Sequence, residues 1–235
     1  PYTRECYIVN DGEFIEITKD NIKVYDEFAK EKECEIKTIN LSIDAAEKGG
    51  YDFFMAKEIF EQPKAVKDTV SPLIKDGKIS LPFEFPHNFI EELKRIYIVA
   101  CGSAYHVGMT AKYIIEDMVR VPVMVDIASE FRYRNPIIGK GDLCIFVSQS
   151  GETADTLASL REAKARGAFT MSIVNVLFST IARESDGVIY TNAGAEIAVA
   201  TTKAYTCQLA LLSVIACYLG IKNKILDKSV LNSYK

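Results

Sequence analysis

The chain has 235 residues, 49% of them hydrophobic, a formal net charge of −4 and a pI near 5.4. That length holds one large domain or a domain with an appendage, and the apolar share excludes wholesale disorder. The acidic balance argues against a nucleic-acid surface, which needs a basic face.

The first forty residues stand apart. "RECYIVNDGEFIEITKDNIKVYD" alternates apolar and polar residues and carries a turn signal at Asp11–Gly12, so a hairpin and short antiparallel strands are expected there. Gly49 and Gly50 then break the chain. Residues 51–62 read as a helix whose apolar stripe is Phe53, Phe54, Ile59 and Phe60, and Pro63 either ends it or begins a second helical run. "KDGKISLPFEFPHN" reads as a polar, proline-punctuated loop.

From Ile96 the pattern is regular. "IYIVA", "VPVMVDI", "DLCIFVS", "FTMSIVNV" and "GVIYTN" are five short apolar runs, read as buried strands. Between them lie helical stretches over 104–119, 153–167 and 180–186, the second stopped by Gly167. After "AGAEIAVATTKAY" a long apolar helix runs to Gly220. Its stretch "CQLALLSVIACYLG" is short for a bilayer and reads as a core or interface helix, so no membrane is expected. Strands alternating with helices predict an α/β fold: a doubly wound parallel five-stranded sheet, order 2-1-3-4-5, with helices on both faces.

The six cysteines are scattered and form no C-x-x-C pair, which fits free thiols in a cytoplasmic protein. His87 and His106 lie far from any paired cysteine, so no zinc site is expected.

Two of the expected strands feed unusual loops. The first strand leads into "ACGSAYH" and the third into "SQSGET". In a 2-1-3-4-5 sheet these strands are neighbours whose crossovers leave on opposite faces, and ligands bind in the crevice between their carboxyl ends. Helix N-termini offer N–H groups and partial positive charge, glycine permits close approach, and Ser148, Ser150 and Thr153 add hydroxyls: together, a phosphate cradle without Lys or Arg. Glu152 must then point away. The competing readings are a simple helix cap, a nucleophile elbow and a nucleotide P-loop. The elbow lacks glycine at Ser148 and Glu152, and the P-loop lacks its Gly-Lys-[Ser/Thr]. A flavin-phosphate loop, also rich in Ser, Thr and Gly, stays open at this point.

The stretches "CGSAYHVGMTAKYIIE", "ASEFRYR", "SQSGETADTLASLREAK", "RESD", "TNAGAEIAVATTKAYTCQL" and "YDFFMAKEIFEQP" resemble the glutamine–fructose-6-phosphate aminotransferase (isomerizing) family along nearly the whole chain. That family couples a glutaminase domain, which uses an N-terminal cysteine, to two sugar-isomerase (SIS) domains. The resemblance implies that residues 1–40 are the end of a glutaminase domain. It makes 41–75 a linker and helical lead-in, and 76–235 the first SIS domain.

The same resemblance implies binding of fructose 6-phosphate or glucosamine 6-phosphate, with no cofactor, in a cytoplasmic homodimer. Cys101, Gly102, Ser103 and Ala104 would line the first loop. Ser148, Gln149, Ser150 and Thr153 would hold the phosphate and adjoining hydroxyls, and Val199 and Thr201 would touch the sugar. Many relatives carry "CGTS" where this chain has "CGSA", so any contact at Ala104 is through its backbone. In the family the isomerisation residues come from the second SIS domain, so no catalytic role is expected of His106, Glu196 or Lys203. Glu196 and Lys203 are expected to pair structurally. A stand-alone SIS isomerase and a phosphosugar-sensing regulatory module are the alternative functions.

Overall fold

The computed structural model describes residues 5–33, 35–38, 47–227 and 229. These fall into two compact units, divided between Glu47 and Lys48. The boundary expected near residue 40 lies outside the described residues, as does Cys34. The second unit begins within the stretch read from sequence as a linker.

The first unit is built of short antiparallel strands. β1 (Glu5–Cys6) pairs with β5 (Lys37–Thr38), while β2 (Phe14–Ile17), β3 (Ile22–Tyr25) and β4 (Glu31–Lys32) form a three-stranded sheet. Asp11 and Gly12 do form a turn, closed by Glu13 N–H donating to Asn10 O at 3.1 Å, but no paired strands flank it. The hairpin turn joining β2 to β3 lies at Thr18–Asn21 instead, where the Thr18 hydroxyl accepts from Asn21 N–H and its own N–H reaches Asn21 O.

The second unit opens with α1 (Phe54–Val70), a single helix that runs straight past Pro63. A proline inside a helix leaves the carbonyl four residues earlier without its N–H. Here that carbonyl, Ile59 O, accepts from the Gln62 carboxamide at 3.0 Å. The expected apolar stripe is not the buried face: Phe53 and Phe60 are both 70% exposed, and Tyr51 stacks on Phe60. The helix buries Lys57, Glu58, Ala65 and Thr69 instead, because its partners are polar. Glu61 accepts from Lys203 at 2.7 Å and Gln62 from Thr206.

Residues 75–88, expected as a polar loop, instead begin in a tiny hairpin of β6 (Ile74–Lys75) and β7 (Lys78–Ile79). The chain then lays Phe83, Phe85 and Phe89 across the sheet against Phe169, with Tyr218 beside Phe85.

The main sheet comprises β8 (Arg95–Ala100), β9 (Val123–Ile127), β10 (Asp142–Ser148), β11 (Phe169–Val174) and β12 (Gly187–Tyr190). Its order is β12-β11-β10-β8-β9 with every pairing parallel, the doubly wound order read from the sequence. The strand period of two divides the side chains between the faces. Ile96, Ile98, Leu143, Ile145, Met171 and Ile173 meet α2 (Gly102–Val119) and α6 (Lys203–Lys222) on one side. Tyr97, Val99, Cys144 and Phe146 meet α3 (Ala128–Phe131), α4 (Ala154–Ala165) and α5 (Thr180–Glu184) on the other. Two covered faces explain why these strands read as unbroken apolar runs rather than alternating ones. By length and composition α6, at 20 residues, could cross a membrane; here most of its apolar window is buried inside the fold.

Candidate functional site

β8 ends at Ala100 and β10 at Ser148, adjacent in the sheet, and their following helices α2 and α4 lie on opposite faces. The crevice between the two strand ends is an open cleft of about 310 Å³.

From the first loop, Cys101, Ser103 and Ala104 line this cleft. Gly102 is the first residue of α2 and has φ +56°, a left-handed turn that suits glycine; it does not line the cleft itself. The methyl of Ala104 is partly buried against the core, so no hydroxyl stands at that position.

The second loop supplies Ser148, Gln149, Ser150 and Thr153. Ser148 is almost fully buried; its Oγ accepts from Gly151 N–H at 3.0 Å and shares a hydrogen bond with Thr153 Oγ1 at 3.1 Å. Thr153 is the N-cap residue of α4 but makes no side-chain capping bond. Its hydroxyl pairs with Ser148 instead of a backbone amide of α4, so the simple cap does not account for it. Ser150 Oγ accepts from Glu152 N–H at 3.2 Å, leaving its O–H free to donate. Gly151 has φ +68°, and a Cβ there would lie 2.5 Å from Ser179 Cβ, so only glycine fits the turn. Glu152 does turn outward, its carboxylate accepting from Thr180 N–H at 2.7 Å at the start of α5. The first loop also meets α4, where Thr156 Oγ1 approaches Cys101 Sγ at 3.8 Å.

The far wall is the irregular segment 191–202, which brings Val199 and Thr201 to the cleft, with Val199 fully exposed on the rim. Sequence reasoning missed four lining residues: Val147, Glu196, Ala198 and Gln208. It also missed what holds the wall. Glu58 of α1, 2% exposed, accepts from Ile197 N–H at 2.6 Å and Ala198 N–H at 3.1 Å. Asn175, just past β11, accepts from Thr191 Oγ1 and Ala193 N–H, donates to Gly194 O, and gives its own N–H to Gln149 O. Asn175 thereby ties the serine loop, through its backbone, to the wall, through its side chain. A polar residue at the carboxyl end of an inner strand was the signal for it.

Glu196 and Lys203 do not pair with each other. The Glu196 carboxylate accepts from Thr202 N–H at 2.8 Å, Ala204 N–H at 3.3 Å and Thr201 Oγ1 at 2.7 Å, which caps the N-terminus of α6. Lys203 is buried and turned to Glu61. A carboxylate at a helix start is stabilised by the free amides and the helix dipole, and no lysine is needed for that. His106 does not line the cleft; its ring meets Tyr105 edge-on.

Cys144, inside β10, has its thiol pushed well above the usual range by burial and is no nucleophile. Among the described residues no cluster of three His, Cys, Asp or Glu side chains is placed to hold a metal.

The lining is hydroxyls, a carboxamide pair and two helix starts, with Cys101 and four aliphatic side chains, Glu196 the sole charged group and no lysine or arginine. Such a lining, at the switch point of a doubly wound sheet, defines an α/β domain with a ligand crevice of hydroxyls and helix starts. The chain belongs to the SIS domain family, whose model matches residues 89–218. It is 52% identical, over 236 aligned positions, to a glutamine–fructose-6-phosphate aminotransferase [isomerizing] of Clostridium tetani; the alignment covers 100% of this chain and 39% of that protein. The chain thus spans about two fifths of the length of the curated relatives it matches. Among solved structures it is similar to the C-terminal domain of glucosamine-fructose-6-phosphate aminotransferase from Francisella tularensis. That match has 46% identity and a TM-score of 0.76, covering 80% of this chain and 54% of the other. A glucosamine-6-phosphate deaminase from Thermotoga maritima shares the fold at 22% identity and a TM-score of 0.58, covering 77% of this chain and 53% of the other.

Proposed function

We propose that this chain carries the phosphosugar-binding SIS domain of a glutamine–fructose-6-phosphate aminotransferase, and that fructose 6-phosphate or glucosamine 6-phosphate occupies the crevice. The observation that carries this reading is the convergence of Ser103, Ser148, Ser150 and Thr153 with the starts of α2 and α4 in one cleft. The phosphate is held by hydroxyls and amides, with Cys101, Gly102 and Ala104 lending backbone. Gln149, Val199 and Thr201 then flank the sugar. High identity along the full chain supports the assignment to the aminotransferase over other SIS proteins.

The chemistry of glutamine hydrolysis and isomerisation belongs, on this reading, to parts of the enzyme beyond the segment described. The chain tested alone therefore binds hexose 6-phosphate and forms no glucosamine 6-phosphate from glutamine and fructose 6-phosphate. The resemblance further supports a cytoplasmic homodimer, which sedimentation of the purified protein tests.

Titration calorimetry decides the main point. Fructose 6-phosphate binds, sulfate competes, and fructose, lacking the anion, binds very poorly. Raising the salt weakens binding only slightly, because buried contacts are screened far less than surface charge pairs. An affinity for fructose within a few-fold of that for its 6-phosphate refutes the phosphate-cradle reading.

A further inference from the structure

α6 is predominantly apolar, yet it carries a glutamine where it meets the cleft. Gln208 is 3% exposed and lines the crevice, and its carboxamide makes no hydrogen bond to another side chain or to the backbone among the described residues. Its polar neighbours on the same helix are all engaged: Lys203 with Glu61, Thr206 with Gln62 and Thr202 O. A leucine here would have extended the apolar surface of the helix, whereas the amide presents hydrogen-bonding groups to the cleft that no other residue of the described chain takes up. The carboxamide is therefore a group kept ready for something that enters the cleft.

Its chemistry says what. A neutral carboxamide offers two donors and one acceptor oxygen, so it can both give to and take from an alcohol. A phosphate has only acceptor oxygens to offer and is already matched by the hydroxyls and the α4 start. We propose that Gln208 is a specificity-determining residue, hydrogen bonding the hydroxyl or carbonyl oxygens of the bound sugar while the serine loop holds the phosphate. This deepens the proposed function and rests on it.

The test uses two ligands, fructose 6-phosphate and inorganic phosphate, titrated into the native chain and into Gln208→Met and Gln208→Asn. Methionine keeps the length and volume and removes the polarity; asparagine keeps the amide and shortens its reach. Melting curves confirm that each variant is folded, and asparagine serves where methionine fails. The expected result is a roughly 5- to 10-fold loss of fructose 6-phosphate affinity in either variant, the size of one net hydrogen bond, with inorganic phosphate affinity within twofold of native. Fructose 6-phosphate affinity within twofold of native overturns the proposal. Equal weakening of both ligands also overturns it, because a merely structural role predicts that pattern. A native chain that binds phosphate but gains nothing from the sugar refutes this inference alone; one that binds neither refutes the proposed function with it.

Discussion

Replacing Ser148 by alanine separates two jobs that its hydroxyl does at once. The Oγ accepts from Gly151 N–H, a buried donor, and exchanges a hydrogen bond with Thr153, which faces the cleft. Truncation leaves the Gly151 N–H buried without a partner, which costs about 1–3 kcal/mol. For a unit of this size each kcal/mol lowers Tm by about 2–4 °C, so the variant should melt about 2–12 °C below native. Affinity falls as well. Losing a hydrogen bond to a charged phosphate is worth about 1.5–3 kcal/mol, or roughly 10- to 150-fold.

The control is Ser150→Ala. Ser150 Oγ also accepts a backbone N–H, but that of exposed Glu152, which water can satisfy instead. Its Tm should shift by less than about 2 °C, with an affinity loss as large as that of Ser148→Ala. Scanning calorimetry and titration with fructose 6-phosphate, run on both variants, give the four numbers. A native-like Tm for Ser148→Ala would refute the structural half of the argument. A lowered Tm with unchanged affinity in Ser150→Ala would mean that the serine merely shapes the turn.

Gly151→Ala should be more damaging than either serine change: the left-handed φ alone costs a non-glycine residue about 1–2 kcal/mol. The new methyl also collides with Ser179, so a urea midpoint equal to native would contradict the turn geometry. On the acid side, the Arg161 guanidinium, at 2.6 and 2.8 Å, holds the Glu184 carboxyl below the usual carboxylate range. A lowered folded value means that the pair stabilises the fold above the unfolded pKa, near 4.3, and ceases to do so as pH falls through the folded value. Glu184→Gln should therefore be less stable than native at pH 7, with the gap closing as pH falls below the unfolded value and through the lowered folded one; a gap that is constant with pH would show that the pairing contributes nothing.

How far the sequence could be read depended on the range of the interactions involved. β8 and β10 are buried on both faces, so each is visible as an apolar run, and the alternation of strands and helices pointed to a parallel sheet, whose order is the doubly wound one assumed from the fold class. The two loops were legible because glycine and hydroxyl residues cluster where a strand ends. α1 was misread because amphipathic logic assumes an apolar partner, whereas this helix docks against Lys203, Thr206 and the amides of Ile197 and Ala198. Those partners lie far away in sequence, and no local pattern encodes them. Phe83, Phe85 and Phe89 were hidden among prolines and charges, and only the sheet they cover shows that they are core. Gln208 was invisible for the opposite reason: it sits in a predominantly apolar helix, where one polar residue at a cleft-facing position carries no periodic signal.

If the crevice takes a phosphate as proposed, an anion site without a cation has to dispose of the carboxylates around it, and this cleft does so one by one. Glu152 is turned to the start of α5, Glu196 to the start of α6, and Glu58 to the amides of the wall. Asp155, in the first turn of α4, is paired with Arg132 at 2.8 Å. Each negative charge is thus matched by backbone N–H groups or a guanidinium, and α2 and α4 direct their starts at the cleft. Three of these carboxylates also fix structure: Glu196 orders Thr201 and the α6 start, Glu58 holds Ala198 beside Val199, and Glu152 joins the serine loop to α5. The groups that would oppose the phosphate are the same groups that shape its pocket. The site is therefore electrostatically permissive only when it is correctly folded, which couples anion affinity to the integrity of α1 and α6 as much as to the serines themselves.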